Sequence, residues 1–362
     1  MEEVDLLVVG LGPAGASAAA AAARAGARVL AVDRRLHPGL PVQCSEFVPA
    51  ALAAETAAVP ASALQEIGAM QTFLAGEVEH TPDFRGVMID RAAFDAALVA
   101  QAAQAGARLL TATAFHGIDA DGCARLGRDI RLRARVVIGA DGPRSTVGRQ
   151  AGLMNRALVE ARQVTVPLIR PHAATDIFLS AEIEGGYGWL FPRGAEANLG
   201  LGLVPAAKDR LKPLLDSLRA DLLAQGRIGP GTRRLTGGAI PVGGLVGPVA
   251  RIGTVPVLLA GDAAGLANPI TGAGINAAVL SGRLAGAAAA AHVAGRSRAL
   301  GDHAEEIADL FGPSLDLALR RRAELMSEYA RGQRPGTAAL RQSWIAYGDY
   351  WARAPQTMEE PA

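Results

Sequence analysis

A glycine-rich turn near the N-terminus constrains the fold of this chain more than any other stretch. Gly10, Gly12 and Gly15 follow an apolar run at residues 4–9 and open an alanine-rich stretch at residues 13–25. The run predicts a buried parallel strand and the stretch predicts a helix. In a turn between them, the first glycine permits a tight reversal, the second lets backbone approach a pyrophosphate, and the third lets the helix pack on the strand. The sequence therefore predicts a dinucleotide site.

The residues that follow complete this pattern. The predicted helix starts at Pro13 and Ala14, and the unpaired N–H groups of its first turn bind an anion without a charged side chain. A second apolar run, at residues 28–32, ends at Asp33, close to the spacing expected for the acid that holds a ribose diol. The alternative is a glycine-rich loop that binds nothing, and the second strand with its terminal acid argues against it.

The composition indicates a globular protein without a charge bias. Half of the 362 residues are apolar (50%), 20% are charged, and the formal net charge is +1. The length allows two or more domains, and the charge gives no reason to expect nucleic acid as a partner. Two cysteines, Cys44 and Cys123, are too few for a disulfide scaffold. We expect a cytoplasmic protein with no metal site and no transmembrane segment, for which peripheral membrane contact stays open.

Two more apolar strands end in turns that each contain an aspartate. Residues 136–139 lead into Asp141, and residues 255–260 lead into Gly261 and Asp262. A helix follows each turn, so each aspartate has two interpretations, as a ligand contact or as a cap of the helix. For Asp262 the ligand contact is favoured.

The intervening segments predict a second domain. Residues 163–204 alternate as strands of an antiparallel sheet, a helix is predicted over residues 208–224, and residues 50–68 are expected to be helical. Aromatic side chains within residues 337–353 are interpreted as packing contacts. The predicted division is residues 1–68, 85–160 and 251–298 for a discontinuous cofactor-binding domain, 69–84 and 161–250 for a substrate domain, and 299–362 for a C-terminal helical region.

The three turns in this order resemble the FAD-dependent reductases and hydroxylases that share the p-hydroxybenzoate hydroxylase fold. Within that superfamily, residues 41–46 and the stretch Tyr187-Gly-Trp189-Leu-Phe191-Pro192 resemble the geranylgeranyl reductase family. Members of that family reduce carbon–carbon double bonds of prenyl chains with FAD. The resemblance implies an α/β fold with a Rossmann-like FAD-binding domain, an antiparallel-sheet substrate domain and C-terminal helices.

The resemblance also implies which residues hold FAD. The glycine turn would bind the pyrophosphate, Asp33 the adenosine ribose in place of the more usual glutamate, and Asp262 a ribityl hydroxyl. A helix beginning near Gly274 would point its N–H groups at the N1 and C2 edge of the flavin, where negative charge collects on reduction. The predicted cofactor-binding set is Gly10, Gly12, Pro13, Ala14, Gly15, Asp33, Arg34, Arg91, Asp141, Gly261, Asp262, Gly272, Ala273, Gly274, Ile275 and Asn276.

The predicted catalytic residues are Cys44, Tyr187 and Trp189, and the predicted substrate contacts are Trp189, Phe191 and Pro192. Because side chains alternate along a strand, Tyr187, Trp189 and Phe191 share one face. We interpret that face as the wall of a hydrophobic tunnel, with core packing as the alternative. Cys44 is expected near the flavin ring and outside any disulfide, with a buried structural cysteine as the alternative.

The predicted function is reduction of prenyl or other hydrophobic double bonds by hydride transfer from reduced flavin. The proton donor and the electron donor, either NAD(P)H or reduced ferredoxin, stay open, and the partners expected are a hydrophobic or lipid substrate and an electron-donor protein. Two alternatives stay open as well. One is an FAD-dependent aromatic monooxygenase, and the other is a non-catalytic flavin-binding protein.

Overall fold

Two eight-stranded sheets organise the chain in the computed structural model, which describes residues 2–352. In chain order the strands are β1 (Glu2–Val9), β2 (Val29–Val32), β3 (Phe47–Pro49), β4 (Ala63–Leu74), β5 (Glu77–Ile89), β6 (Arg108–Leu110), β7 (Phe115–Ile118), β8 (Cys123–Leu126), β9 (Ile130–Gly139), β10 (Leu158–Pro167), β11 (Ala174–Phe178), β12 (Gly188–Arg193), β13 (Glu196–Leu203), β14 (Arg234–Pro241), β15 (Val249–Ile252) and β16 (Val255–Leu259).

Helices surround both sheets. They are α1 (Pro13–Arg24), α2 (Leu52–Glu55), α3 (Ala58–Ser62), α4 (Arg91–Gln104), α5 (Thr146–Gln150), α6 (Leu211–Ala224), α7 (Ile275–Val293), α8 (Ala299–Ala330), α9 (Thr337–Gln342) and α10 (Gly348–Trp351), with short 3-10 helices at Pro205–Arg210 and Gly261–Ala264. Among the helices of residues 2–352, none has the length and apolarity needed to cross a membrane.

The first sheet has a parallel centre in the order β16, β9, β1, β2 and β6. Strands β2 and β16 and the carboxyl-terminal halves of β1 and β9 are apolar and buried, as parallel strands covered on both faces must be. Alanines of α1 and α7 cover one face, and the β7–β8 hairpin and α8 cover the other. All the predicted turns follow strands of this sheet and therefore meet at the carboxyl edge, where open α/β sheets bind ligands.

The second sheet has the order β14, β10, β13, β12, β11, β4, β5 and β3. Its pairs are antiparallel except β11 with β4, which are parallel. One face packs on α6, and the other holds aromatic side chains beneath residues of α8 and α9. Strands β10 to β14, which lie almost wholly within the segment 161–250 predicted as the substrate domain, all belong to this sheet.

Three predicted boundaries differ from the structure. Residues 50–68 form the short helices α2 and α3 and then enter β4 at Ala63, because pairing with β5 and β11 outweighs the helix propensity of an alanine-rich stretch. The predicted domain boundaries at 68/69 and 84/85 fall inside β4 and β5, which lie wholly in the second sheet. Residues 353–362 of the predicted C-terminal region lie outside the described residues.

Helices α1 and α7 pack with unusually small separation. A Cβ atom built on Gly282 would lie 2.1 Å from the carbonyl oxygen of Ala14, and one built on Gly286 would lie 2.2 Å from that of Ala18. Only glycine permits these approaches, since both contacts are with backbone that cannot rotate away.

We expect Gly286→Ala to destabilise the protein by about 1–3 kcal/mol, because the added methyl group overpacks the α1–α7 contact. Gly301→Ala is the matched control, since Gly301 is also helical and has open space at its Cβ position. That change should be neutral or stabilising by up to about 1 kcal/mol. Urea unfolding of both variants measures the difference, and equal midpoints would contradict the close approach.

Candidate functional site

The three glycines of the turn have different roles, two in folding and one in access for a ligand. Gly10 has a φ of +97°, and a Cβ there would lie 2.4 Å from the carbonyl oxygen of Ala140. A Cβ on Gly15 would lie 1.8 Å from the carbonyl oxygen of Gly10. Gly12, in contrast, has no atom within 4 Å of its Cβ position. Gly10 and Gly15 therefore hold strand, turn and helix together, while Gly12 presents bare backbone to open space of the kind a pyrophosphate occupies.

Two long helices begin at this edge without a capping side chain. Helices α1 and α7 start after Gly12 and Gly274, have no acidic residue in the first turn, and receive no side-chain cap from residues 2–352. Helices α4 and α5 are capped by Asp90 and Ser145. The uncapped N–H groups and dipoles of α1 and α7 fit a ligand that carries negative charge at two places, as a flavin dinucleotide does. Ala273 and Asn276, from the predicted set around α7, are exposed at this edge.

The carboxylate of Asp262 also indicates a ligand. Burial raises its pKa, with Arg91 acting in the opposite direction, and no donor among residues 2–352 hydrogen-bonds its side-chain oxygens. Its Oδ1 lies beside Gly274, since a Cβ built there would be 3.1 Å away. A half-buried carboxylate without donors is costly, so hydroxyl groups of a ligand, such as those of a ribityl chain, fit this position.

The other two predicted aspartates have protein partners. Asp33 accepts the backbone N–H of Leu11 through Oδ2 and that of Arg35 through Oδ1, both at 2.8 Å. Each of its oxygens keeps a lone pair for a ribose hydroxyl. Asp141 accepts the hydroxyl of Ser145 at 2.5 Å and the N–H of Thr146 at 2.6 Å, so its carboxylate caps α5. For Asp141 the cap interpretation is the one that the geometry supports.

Arg91 lies at the centre of the site, whereas Arg34 is exposed on the surface. The Nε of Arg91 donates to Oδ1 of Asp95 at 2.7 Å, its backbone N–H donates to Oε1 of Glu46 at 3.2 Å, and its positive charge acts to lower the pKa of the Cys44 thiol. Arg91 therefore joins helix α4 to the loop of residues 41–46.

The 41–46 loop is held against the second sheet by side chains that donate to its carbonyls. Gln163 donates to the carbonyl of Cys44 at 3.0 Å, and Asn198 donates to that of Ser45 at 3.1 Å. Thr236 donates to the carbonyl of Val42 at 2.5 Å. The loop is thus positioned by strands β10, β13 and β14, more than 100 residues away in sequence.

Glu46 ends this loop as a fully buried carboxylate. Its Oε2 accepts Arg234 Nη2 at 2.7 Å and Asn198 Nδ2 at 2.8 Å, and lies 3.6 Å from Nη1 of Arg193. Its Oε1 accepts the backbone N–H of Arg91 at 3.2 Å. The sequence shows only that Glu46 follows Cys44 by two residues, and it gives no signal that Gln163, Asn198 and Arg234 approach this loop.

The predicted aromatic residues form a continuous row. Ring centroids are 4.7 Å apart for Trp344 and Tyr187, 5.8 Å for Tyr187 and Trp189, 6.5 Å for Trp189 and Phe191, and 6.1 Å for Phe191 and Phe47. The predicted shared face is therefore present, and the tryptophans of the row and Phe191 are buried in a core cluster, as in the core-packing alternative to a tunnel wall. Pro192 alternates to the opposite side of β12, the side of Leu190 and α6, and does not join the row.

The polar atoms of this row already have partners. Tyr187 donates its hydroxyl to the carbonyl of Thr271 at 2.6 Å, and burial raises its pKa. Trp189 donates its indole N–H to Oε1 of Gln163 at 3.0 Å, and Gln163 in turn binds the Cys44 carbonyl. Two of the three residues predicted as catalytic therefore orient neighbouring segments. Tyr187 orients the 268–274 loop, and Trp189 orients the Cys44 loop.

Comparison with known proteins agrees with this geometry. Residues 8–73 match the NAD(P)-binding Rossmann-like domain family. Digeranylgeranylglycerophospholipid reductase of Methanocaldococcus jannaschii is 31% identical over 294 residues, covering 72% of this chain and 70% of that protein. Digeranylgeranylglycerophospholipid reductase 1 of Methanopyrus kandleri is 35% identical over 299 residues, covering 74% of this chain and 75% of that protein.

Solved structures show the same fold. A geranylgeranyl bacteriochlorophyll reductase-like protein from Thermoplasma acidophilum superposes with a TM-score of 0.82 and 27% identity, over 90% of this chain and 88% of that one. A probable FAD-dependent monooxygenase from Pseudomonas aeruginosa superposes with a TM-score of 0.70 and 20% identity, over 94% and 99% of the two chains, which shows the fold alone.

The fold and the site define an FAD-dependent oxidoreductase with a Rossmann-like cofactor domain. The predicted fold class is confirmed. Within that class, the chain belongs to the geranylgeranyl reductase family, as the resemblance implied.

We expect Gly12→Val to abolish retention of FAD while the fold stays intact, because the side chain would occupy open space on the ligand side. Gly336→Val is the matched control, since Gly336 precedes α9 in nearly the same backbone conformation and also has nothing within 4 Å. The flavin absorbance of purified protein measures occupancy. Stoichiometric FAD in purified Gly12→Val would contradict the prediction. So would a melting temperature of its apoprotein more than about 3 °C below that of the parental apoprotein.

Proposed function

We propose that this protein reduces carbon–carbon double bonds of a prenyl chain carried by a lipid or another hydrophobic substrate, using FAD. One observation carries the proposal. The Cys44 loop lies between Arg91, whose backbone N–H binds Glu46 and whose charge acts on Asp262, and the aromatic row, which the loop contacts through Gln163 and Trp189. The names of the curated relatives support a geranylgeranyl lipid as the substrate class.

FAD, when bound and reduced, supplies the hydride for this chemistry. Gly10, Gly12, Gly15 and the N-terminus of α1 would hold its pyrophosphate, Asp33 the ribose, and Asp262 the ribityl hydroxyls. The N–H groups that begin α7, after Gly272 and Gly274, would stabilise negative charge on the ring. The row formed by Tyr187, Trp189 and Phe191 would bind the apolar chain and exclude water.

Cys44 is the group best suited to deliver a proton to the alkene carbon. Burial raises the pKa of its thiol, and the positive charge of Arg91 acts in the opposite direction. The thiol is therefore protonated at neutral pH and has a proton to give. Tyr187 is less suited, because its hydroxyl is already donated to the Thr271 carbonyl. Cys44 and Cys123 form no disulfide with each other.

The electron donor is either NAD(P)H or reduced ferredoxin, the second of which requires a protein partner.

An aromatic monooxygenase is the second candidate, favoured by the shared fold of the Pseudomonas aeruginosa protein. Reduced enzyme mixed anaerobically with a geranylgeranyl lipid distinguishes a reductase from a monooxygenase. A reductase regains its oxidised-flavin absorbance and adds two hydrogens to the lipid, whereas a monooxygenase stays reduced until oxygen is admitted.

We expect Cys44→Ala to keep FAD and to reduce the alkene at least about tenfold more slowly, equivalent to about 1.4 kcal/mol of barrier. Cys123→Ala is the control, since Cys123 lies on β8 at the far side of the first sheet. The rate of flavin reoxidation by the geranylgeranyl lipid measures both. Parent-like turnover of Cys44→Ala would return this cysteine to a packing role.

We expect Trp189→Phe to slow alkene reduction about three- to tenfold with FAD retained, because it removes one hydrogen bond that orients Gln163 and keeps an aromatic ring. The control is Trp351→Phe, which removes the indole N–H of an exposed tryptophan (61%) that donates to Ile345. If Trp189→Phe lowers the melting temperature but reduces the alkene at the parental rate, Trp189 serves the core alone.

A further inference from the structure

The environment of Glu46 is unusual for a carboxylate. Its side chain is fully buried, and its backbone has a φ of +72°, a conformation that costs energy for a residue with a Cβ. In that conformation its N–H donates to the sulfur of Cys44 at 3.2 Å. This conformation is held by the bonds of the carboxylate to Asn198, Arg234 and the N–H of Arg91, and by the N–H of Ile89, which donates to the Glu46 carbonyl at 2.9 Å.

Three arginines surround the Cys44 loop. Arg91 is balanced by Asp95 at 2.7 Å and lies in the field of Asp262. Arg193 lies 3.6 Å from Glu46 and 3.9 Å from Glu196. Arg234 pairs with Glu46 at 2.7 Å and with no other carboxylate in the described part of the chain. Without Glu46, the positive charges of Arg193 and Arg234 would act on the thiol from the substrate side.

We propose that Glu46 is a positioning residue that keeps Cys44 protonated. It does so by the negative charge of its carboxylate, which neutralises Arg193 and Arg234 beside the loop. Its importance for catalysis depends on the proposed role of Cys44, but its effect on the thiol does not.

The charged and titratable groups that act on this thiol directly are Arg91 on α4, Glu46 on the loop itself, and Tyr187 just before β12. Arg193 on β12 and Arg234 on β14 lie behind Glu46 and pair with its carboxylate, so they act on the thiol by offsetting that negative charge. A negative charge opposes formation of a thiolate and therefore raises its pKa. The charge of Glu46 acts in this direction on the pKa of Cys44, and Arg91 and the Glu46 N–H act in the other. Removing the charge of Glu46 should therefore lower the thiol pKa, and removing that of Arg234 should raise it.

The test is the pH dependence of iodoacetamide alkylation at Cys44, measured by mass spectrometry on FAD-loaded protein that also carries Cys123→Ala. Only the thiolate reacts, so the midpoint of the pH–rate profile reports the thiol pKa independently of access to the site. Glu46→Gln keeps the shape and loses the charge. We expect its midpoint to fall enough to raise the rate at pH 7 at least about threefold, which corresponds to about half a pH unit.

Arg234→Met should move the midpoint upward, and the double variant should return toward the parent, which isolates the coupling between the two charges. Glu196→Gln is the matched control, because Glu196 also faces Arg193 but is half-exposed and does not contact the loop. An unchanged or raised midpoint in Glu46→Gln overturns the proposal. If that variant does not fold, a midpoint in Arg234→Met equal to the parental one overturns it, and an upward shift supports it.

The same variants separate this proposal from the proposed function. Thiol alkylation needs no alkene, so shifted midpoints together with parental turnover of Cys44→Ala would leave the role of Glu46 standing and remove the catalytic role of the thiol. Where both hold, the alkaline limb of kcat/KM for alkene reduction moves to lower pH in Glu46→Gln by the same interval as the alkylation midpoint.

Discussion

The backbone contact between α1 and α7 is the constraint on which the cofactor site depends. Gly282 and Gly286 let α7 approach the carbonyls of Ala14 and Ala18, and no larger residue would allow that distance. Both helices start at the carboxyl edge of the parallel sheet, so the contact also brings their N-termini to that edge. Two uncapped positive dipole ends at one edge repel each other, and anionic groups placed there would relieve that repulsion. The helix packing therefore produces a site whose charge suits a dinucleotide.

The second constraint is the attachment of the 41–46 loop to the second sheet. The loop has no regular hydrogen bonds of its own, so its buried carbonyls need donors from elsewhere. Gln163, Asn198 and Thr236 supply them from three adjacent strands. The position of the Cys44 thiol is therefore set by the second sheet, while the N–H of Arg91 attaches the same loop to helix α4. A shift of either sheet would be transmitted to the thiol.

The parts of this structure that sequence predicts are those fixed by local geometry. The turn at Gly10, Gly12 and Gly15 and the acid at the end of β2 are readable because each role depends on neighbours in sequence. Asp141 shows the limit, because a carboxylate after a strand looks the same whether it caps a helix or binds a ligand. The partners of Glu46 could not be predicted, since Arg234 is 188 residues away and its approach depends on β14 joining the edge of the second sheet.

The fold itself does not distinguish a reductase from a monooxygenase, because both chemistries occur on it. The two reactions differ in the groups that the site must supply to the reacting carbon atoms. Alkene reduction adds a hydride to one carbon and a proton to the other, whereas hydroxylation of an aromatic ring adds oxygen and removes a proton from carbon. A buried thiol beside the aromatic row suits the first requirement, because burial keeps its proton in place at neutral pH. The hydroxyl of Tyr187, the other acidic group on that face, donates to the Thr271 carbonyl, which is why we propose the thiol as the proton source. The site chemistry thus favours reduction on a fold that permits either reaction.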